Sequence, residues 1–256
     1  MDFKVVIPAR FASTRLPGKP VLEIAGKPMI RHVYERACES MAAEVIIATD
    51  DERVAACAEG FGARACMTSA SHRSGTDRIA EVARALGWDD DAIVVNLQGD
   101  EPCMPAALID QVASDMAAHR RADMTTLSSP IDHCKTLFDP HVVKVVTDTD
   151  GYALYFSRAP IPWHRDEFVA GQDILPTDVA FSRHIGLYAY RAGFLERFVG
   201  WPPAPLEQAE ALEQLRVLWH GGRIHVTEAA VEPAHGVDTG EDLRRAEEQL
   251  RSAQSK

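Results

Sequence analysis

The sequence predicts an α/β fold: a mixed, mainly parallel sheet sandwiched by helices, with an inserted β-rich lobe. Three observations carry that expectation. Short apolar runs alternate with amphipathic stretches up to about Ser129, the rhythm of βαβ units. The rhythm then gives way to β-rich text around Asp148-Thr149-Asp150 and a proline-punctuated stretch from Ala159 to Thr177. No internal repeat, low-complexity tract or linker interrupts the chain, which reads as a single domain over 1–256: a first half over about 1–130, a lobe over about 131–235, and a C-terminal helix packing back.

The elements follow in order. Lys4–Ile7 is an apolar strand, stopped by Pro8 because proline cannot donate to a ladder. A loop carries Arg10, Ser13, Thr14, Arg15 and Lys19 to a helix at Pro28–Ser40. Glu44–Ala48 is a strand, and Asp51–Gly60 a helix that Asp50 caps. Ala63–Met67 and Asp91–Leu97 are strands flanking a helix at Thr76–Leu86. Pro105–Ala118 is a helix with proline at its start, and Asp123–Leu127 a further strand. Val142–Thr147 and Gly151–Phe156 form a hairpin. His184–Tyr190 alternates as a strand, Leu206–Trp219 is one helix, Arg223–Val226 a strand and Gly240–Gln254 a polar helix.

A net charge of −11 argues against sequence-independent nucleic-acid binding, which rests on neutralising phosphates, but leaves room for a local cationic pocket. The five cysteines are odd in number and form no CxxC pair, so reduced thiols are expected rather than disulfides or a zinc cluster. MDFKVVIPAR carries no signal-peptide pattern, and no apolar run approaches the roughly 20 residues of a membrane span. A cytoplasmic protein without membrane or nucleic-acid partners is expected.

Chemistry concentrates in a few stretches. VVIPARFASTRLPGK is neither a Walker A loop nor GxGxxG: Pro20 follows Gly18-Lys19, and position 13 is Ser. Arg10, Arg15 and Lys19 instead place three cations after a buried strand, a pattern suited to a nucleoside triphosphate; an exposed basic loop is the plainer alternative. In NLQGDEP, Gln98, Gly99 and Asp100 fall at a second strand's carboxyl end, on the same sheet edge. Asp100 there suits Mg²⁺, or else caps the next helix. Ser74, Gly75 and Thr76 begin a helix whose free N–H groups suit a base carbonyl or phosphate, or are simply capped. Asp238 reads as an N-cap, and Thr239 with Asp242 has capping-box spacing. Arg158 and Arg165 suit carboxylate recognition. His184 and Tyr188 share a strand face, while Glu213 and Gln214 read as a solvated helix face beside the stripe of Leu212, Leu215 and Trp219.

The text PARFASTRLPGKPV resembles the N-terminal signature of the 3-deoxy-manno-octulosonate cytidylyltransferases, the CMP-Kdo synthetases. The resemblance continues through NLQGDEP, VKVVTDTDGYALYFSRAPIPW, RHIGLYAYR, LEQLRVLW and GVDTGEDL. It implies a nucleotide-diphospho-sugar transferase-like fold and conversion of CTP and 3-deoxy-D-manno-octulosonate (Kdo) to CMP-Kdo and pyrophosphate, for lipopolysaccharide synthesis. It also implies Mg²⁺ as cofactor and a homodimer formed through about 140–190. Residue by residue, it assigns Ala9, Arg10, Ser13, Arg15, Lys19, Ser74, Gly75, Thr76, Arg78 and Gln98 to the nucleotide. Asp100 and Asp238 go to the metal and, with Arg10, Arg15 and Lys19, to catalysis. Gln98, Arg158, Arg165, His184, Tyr188, Glu213 and Gln214 go to the sugar. An 8-amino-Kdo analogue or sialic acid as acceptor, or a catalytically dead nucleotide-binding regulator, are the alternatives.

Overall fold

The computed structural model describes residues 2–12, 16–171, 173–233 and 235–254. Ser13, Thr14 and Arg15 therefore lie outside the described residues. In chain order the elements are β1 (Phe3–Ala9), β2 (Glu23–Ile24), β3 (Lys27–Pro28), α1 (Met29–Cys38), β4 (Glu44–Thr49), α2 (Glu52–Gly60), β5 (Arg64–Met67), α3 (Gly75–Ala85), β6 (Ile93–Asn96), α4 (Ala106–Ala118) and β7 (Met124–Pro130). Then come α5 (Cys134–Phe138), β8 (Lys144–Thr147), β9 (Ala153–Ser157), α6 (Glu167–Ala170), β10 (Ser182–Arg191), α7 (Ala192–Gly200), α8 (Pro205–Glu210), α9 (Leu215–Trp219), β11 (Ile224–Glu228) and α10 (Gly240–Gln254).

One sheet runs β11-β7-β10-β6-β1-β4-β5, with β8 paired to β10 and β9 to β8. The β6-β1-β4-β5 half is parallel, and β10 enters antiparallel between β6 and β7. β1 is apolar except at Lys4 because most of it is buried on both faces. Phe3, Val5, Ile7 and Ala9 pack with α1, α2 and α4, and Val6 packs with α3 and α7. The chain goes from β1 to β4 and β5 on one side and returns to β6 on the other. That reversal opens a crevice at the strands' carboxyl ends, where ligands of open α/β sheets bind.

β1 does not stop at Pro8: it continues to Ala9. Pairing with β6 ends at Val6↔Asn96, whereas pairing with β4 runs to Ala9↔Thr49. Val6 bonds toward β6, so Pro8, two residues on, directs its missing donor to an edge β6 has already left. Asp51, not Asp50, caps α2, accepting from Arg53 N at 2.9 Å, while Asp50 pairs with Arg78. The helix expected at Leu206–Trp219 is two, α8 and α9, separated by Ala211 at φ +51°. Arg158 Nε takes the Glu210 carbonyl at 2.6 Å, and the chain turns there. The turn carries Gln214 into the interior, so the solvated face expected at 213–214 does not form.

The α7 helix and the β2–β3 hairpin were not legible as elements. The hairpin's purpose is visible in the packing: Ile24 and Met29 form a small core with Val237 and Ala246, seating α10. The lobe has its own core of Ile131, Leu137, Phe168 and Phe181.

Candidate active site

A cleft of about 370 Å³ opens at the carboxyl ends of β1 and β6. Ala9, Arg10, Lys19, Gln98, Asp100 and Asp238 line it, with Gly75 and Arg78 from α3. The two strand ends meet tightly. A Cβ on Gly99 would lie 2.8 Å from the Pro8 carbonyl oxygen, so only glycine brings the β6 loop this close. The cationic loop returns through Gly18 at φ +70°, packed on the Phe11 ring, which the Arg53 guanidinium covers at 3.4 Å.

Lys19 is nearly enclosed and sits between two carboxylates. Its Nζ donates to Asp100 Oδ2 at 2.6 Å and Asp238 Oδ1 at 3.1 Å. Laid end to end, those distances limit the two oxygens to about 5.7 Å apart. Asp238 is delivered by local bonds: Val237 N donates to the Asp100 carbonyl at 2.8 Å. Thr239 and Asp242 form the capping pair, with Thr239 N to Asp242 Oδ2 at 2.9 Å and Asp242 N to Thr239 Oγ1 at 3.2 Å. Capping thus falls to Thr239 and Asp242, and Asp238 faces the cleft. Asp100 does not cap α4, which has no side-chain cap.

Glu101, which the sequence did not single out, is pressed behind this pair. Burial, then the Asp100 charge, pushes its carboxyl up to about 8. Its Oε2 has no hydrogen-bond partner among the described residues, and a Cβ on Gly236 would lie 2.7 Å from its Oε1.

The α3 end is a buried polar tier. Ser74 caps the helix in a reciprocal pair with Asp77, at 3.1 and 3.2 Å. Thr76 Oγ1 donates to Glu213 Oε2 at 3.0 Å. Arg78 is fully buried, held by Thr68 and by Asp50 at 2.9 Å. Across from it stand Glu213 and Gln214. Burial raises the Glu213 carboxyl, and neither Glu213 Oε1 nor Gln214 Nε2 has a described partner. Tyr188 Oη donates to Gln214 Oε1 at 3.5 Å, and its ring lies 5.4 Å from that of His184. Burial raises the Tyr188 phenol and lowers the His184 imidazole to about 3. Enclosed polar atoms lacking protein partners are what a hydroxylated ligand would satisfy.

Two arginines stand apart from this group. The Arg158 guanidinium is tied to the Glu210 and Pro140 carbonyls at 2.6 and 3.0 Å. Arg165 is 86% exposed and pairs with its neighbour Asp166, so it does not enter the cleft in this conformation. Elsewhere, Asp115, His119 and His225 form the one three-residue group with metal-ligand spacing among the described residues. Each imidazole Nδ1 meets a different oxygen of Asp115, at 2.9 and 2.8 Å. The rings stack at 3.6 Å, whereas two imidazoles on one tetrahedral zinc hold their centres about 5 Å apart. This is hydrogen-bonding geometry, on an edge of the sheet away from the cleft.

A family model described as cytidylyltransferase matches residues 4–224. The chain is 60% identical over 243 residues to a Pseudomonas fluorescens protein named 3-deoxy-manno-octulosonate cytidylyltransferase, covering 95% of this chain and 96% of that one. A protein of the same name from Idiomarina loihiensis is 57% identical, over 96% and 97% of the two chains. The structure of a CMP:2-keto-3-deoxy-manno-octonic acid synthetase complexed with CTP superposes with a TM-score of 0.89 at 40% identity, covering 98% of this chain and 99% of that one. A nucleotidyl transferase from Methanothermobacter thermautotroptrophicus shares the fold alone, with a TM-score of 0.59 at 15% identity over 98% of each chain.

Proposed function

The chain belongs to the cytidylyltransferases, and among them to the 3-deoxy-manno-octulosonate cytidylyltransferases; from that premise we propose that it condenses CTP with Kdo to give CMP-Kdo and pyrophosphate. The carrying observation is the meeting of Lys19, Asp100 and Asp238 at the β1–β6 crevice, beside an enclosed polar tier.

A Mg²⁺ ion fits the Asp100–Asp238 pair. Both offer hard oxygen donors, one ammonium already bridges them, and their side chains are 37% and 50% exposed, leaving room for water and phosphate. Bound there, the ion would supply positive charge that favours attack at the α-phosphorus and lowers the pKa of the sugar hydroxyl. Arg10 and Lys19 hold the triphosphate and offset the charge on departing pyrophosphate. Gly75, Thr76 and Arg78 face the cytidine end, while Tyr188, Glu213 and Gln214 orient the sugar so that its anomeric hydroxyl stands in line with the α-phosphorus. His184 stays neutral and contributes a lone pair rather than a charge. No protein nucleophile is required.

The lobe carries exposed Leu154, Trp163, Val169 and Ile174, apolar surface that supports a second copy as partner. No described helix is long and apolar enough to cross a membrane. A cytoplasmic homodimer working ahead of lipopolysaccharide assembly accords with these features. The whole chain is read as one domain, its first half taking CTP and its lobe the sugar.

The test is pyrophosphate release from CTP and Mg²⁺ with Kdo, its 8-amino analogue or sialic acid. Kdo is expected to give the highest kcat/KM, and a chelator to abolish turnover. Preference for another sugar reassigns the acceptor. CTP binding without any release identifies a non-catalytic regulator.

A further inference from the structure

Arg10 and Lys19, the cleft's cations, each adjoin a residue with no place in the mechanism above: Phe11 follows Arg10, and Gly18 precedes Lys19. Gly18 N donates to the Phe11 carbonyl at 3.2 Å, which ties the two ends of the loop together. Gly18 sits at the tip of the Phe11 ring, where a Cβ would lie 3.1 Å from Cζ. The Arg53 guanidinium covers the face of that ring, 3.4 Å from its centre. Arg53 stands in the first turn of α2, and Asp51 grips both arms of its fork, Nε to Oδ1 at 2.9 Å and Nη2 to Oδ2 at 2.7 Å. Asp51 is fixed in turn: it caps the Arg53 backbone N–H at 2.9 Å, and its own N–H reaches Thr49 Oγ1, at the end of β4, at 3.3 Å.

We infer that Arg53 is a positioning residue: forked to Asp51 and stacked on Phe11, it braces the ends of the cationic loop, so that Arg10 and Lys19 stand in place before a triphosphate arrives. The Arg53 side chain is 65% exposed, and an exposed ion pair ordinarily contributes little. Here the pair is bidentate, and the guanidinium lies on a ring that packs against the main core. Its charge is already met by Asp51, so Arg53 serves by its shape rather than as a further cation for the phosphates. The preceding acid does similar work, since Asp50 holds Arg78 of the α3 tier at 2.9 Å. Two successive acids at the end of β4 thus anchor arginines for both the loop and the tier. A loop held in its binding arrangement loses less freedom when the ligand binds, so the brace improves CTP binding and leaves the chemical step alone.

The inference rests on this loop taking CTP, and its test separates the two claims. Arg53→Met keeps an unbranched stem and removes the flat fork. In pyrophosphate-release kinetics it is expected to raise the KM for CTP about fivefold, with kcat and the KM for Kdo within about twofold of the parent and the melting temperature within a few degrees. Arg53→Lys keeps the charge but neither the fork nor the stack, and should behave like Arg53→Met. Phe11→Leu should raise the same KM, and Arg53→Met combined with it should be no worse than the poorer single variant. A KM for CTP near the parent's, full recovery in Arg53→Lys, or an earlier melt with both KM values raised together would overturn the inference. A second readout needs no substrate: hydrogen exchange of the Gly18 amide, followed by NMR in protein labelled at glycine and free of nucleotide. In Arg53→Met it should quicken about fivefold while glycines outside the loop keep their rates. Unchanged Gly18 exchange refutes the brace whatever the kinetics. If the parent itself releases no pyrophosphate, the functional reading has failed, and Gly18 exchange alone decides the brace.

Discussion

His184 offers a test whose size follows from its surroundings. Its Nε2 lies 3.0 Å from Thr126 Oγ1, and that hydroxyl also meets the Ile185 and Leu187 carbonyls, both at 2.9 Å, across an irregularity in β10. The two carbonyls can only accept, so the single Thr126 proton goes to them and its oxygen is left to accept from His184 Nε2–H. Protonation must then occur at Nδ1, in an enclosure formed partly by the rings of Phe156 and Tyr188. Burial lowers the imidazole from 6.5 to about 3. The unfolded chain takes up this proton near pH 6.5 and the folded chain holds it off until about pH 3. Stability is therefore lost as pH falls through that window. Each pH unit inside it costs about 1.4 kcal/mol, or about 3 kcal/mol by pH 4.5, reduced to about 2 because the residue keeps some contact with water. His184→Gln retains the donor to Thr126 and cannot be protonated. Urea unfolding of both proteins at pH 7.5 and 4.5 should show the parent losing about 2 kcal/mol more than the variant, roughly 4–8 °C in melting temperature for a chain of this size. The other histidines cancel in the comparison. Equal losses would mean that His184 titrates normally in the folded protein.

Lys19→Ala leaves Asp100 and Asp238 facing each other without an ammonium. It is expected to lower kcat/KM for CTP about 100-fold, equivalent to about 3 kcal/mol of transition-state stabilisation. Without metal it should cost only about 1 kcal/mol in unfolding experiments, since both acids reach solvent, and Mg²⁺ should stabilise the variant more than the parent. Parent-level kinetics would remove Lys19 from the phosphate site. Gly99→Ala drives a methyl against the Pro8 carbonyl, a backbone atom that cannot rotate aside. A loss of about 2 kcal/mol, with reduced turnover, is expected by calorimetry and assay, and an unchanged melt would refute the tight crossing.

The parallel half of the fold was legible because each strand is a short apolar run followed by an amphipathic helix. The cleft's two strand ends were legible for the same reason: PAR and NLQGD each follow such a run. Asp238 was not placed by pattern, since an acid before a polar helix has the same appearance whether it caps or not. Only tertiary packing, Val237 against Ile24 and Met29, turns it toward Asp100. Glu213 and Gln214 looked solvated because periodicity assumes an unbroken helix, and one αL residue at Ala211 defeats that assumption. Asn96 and Tyr190 lie inside apolar strand text, where a polar atom's partner on a distant strand leaves no local trace.

The bond from Lys19 to Asp238 spans 219 positions. A nascent polypeptide that has left the ribosome as far as β11 can already form the whole sheet and both loops of the crevice, yet it lacks the second acid. On the proposed role of Asp238, competence would arrive only when α10 docks and would leave the same way. Fraying or clipping of that one helix should then silence turnover while the spectroscopic signature of folding scarcely changes, so loss of activity on heating is expected to precede the main melt.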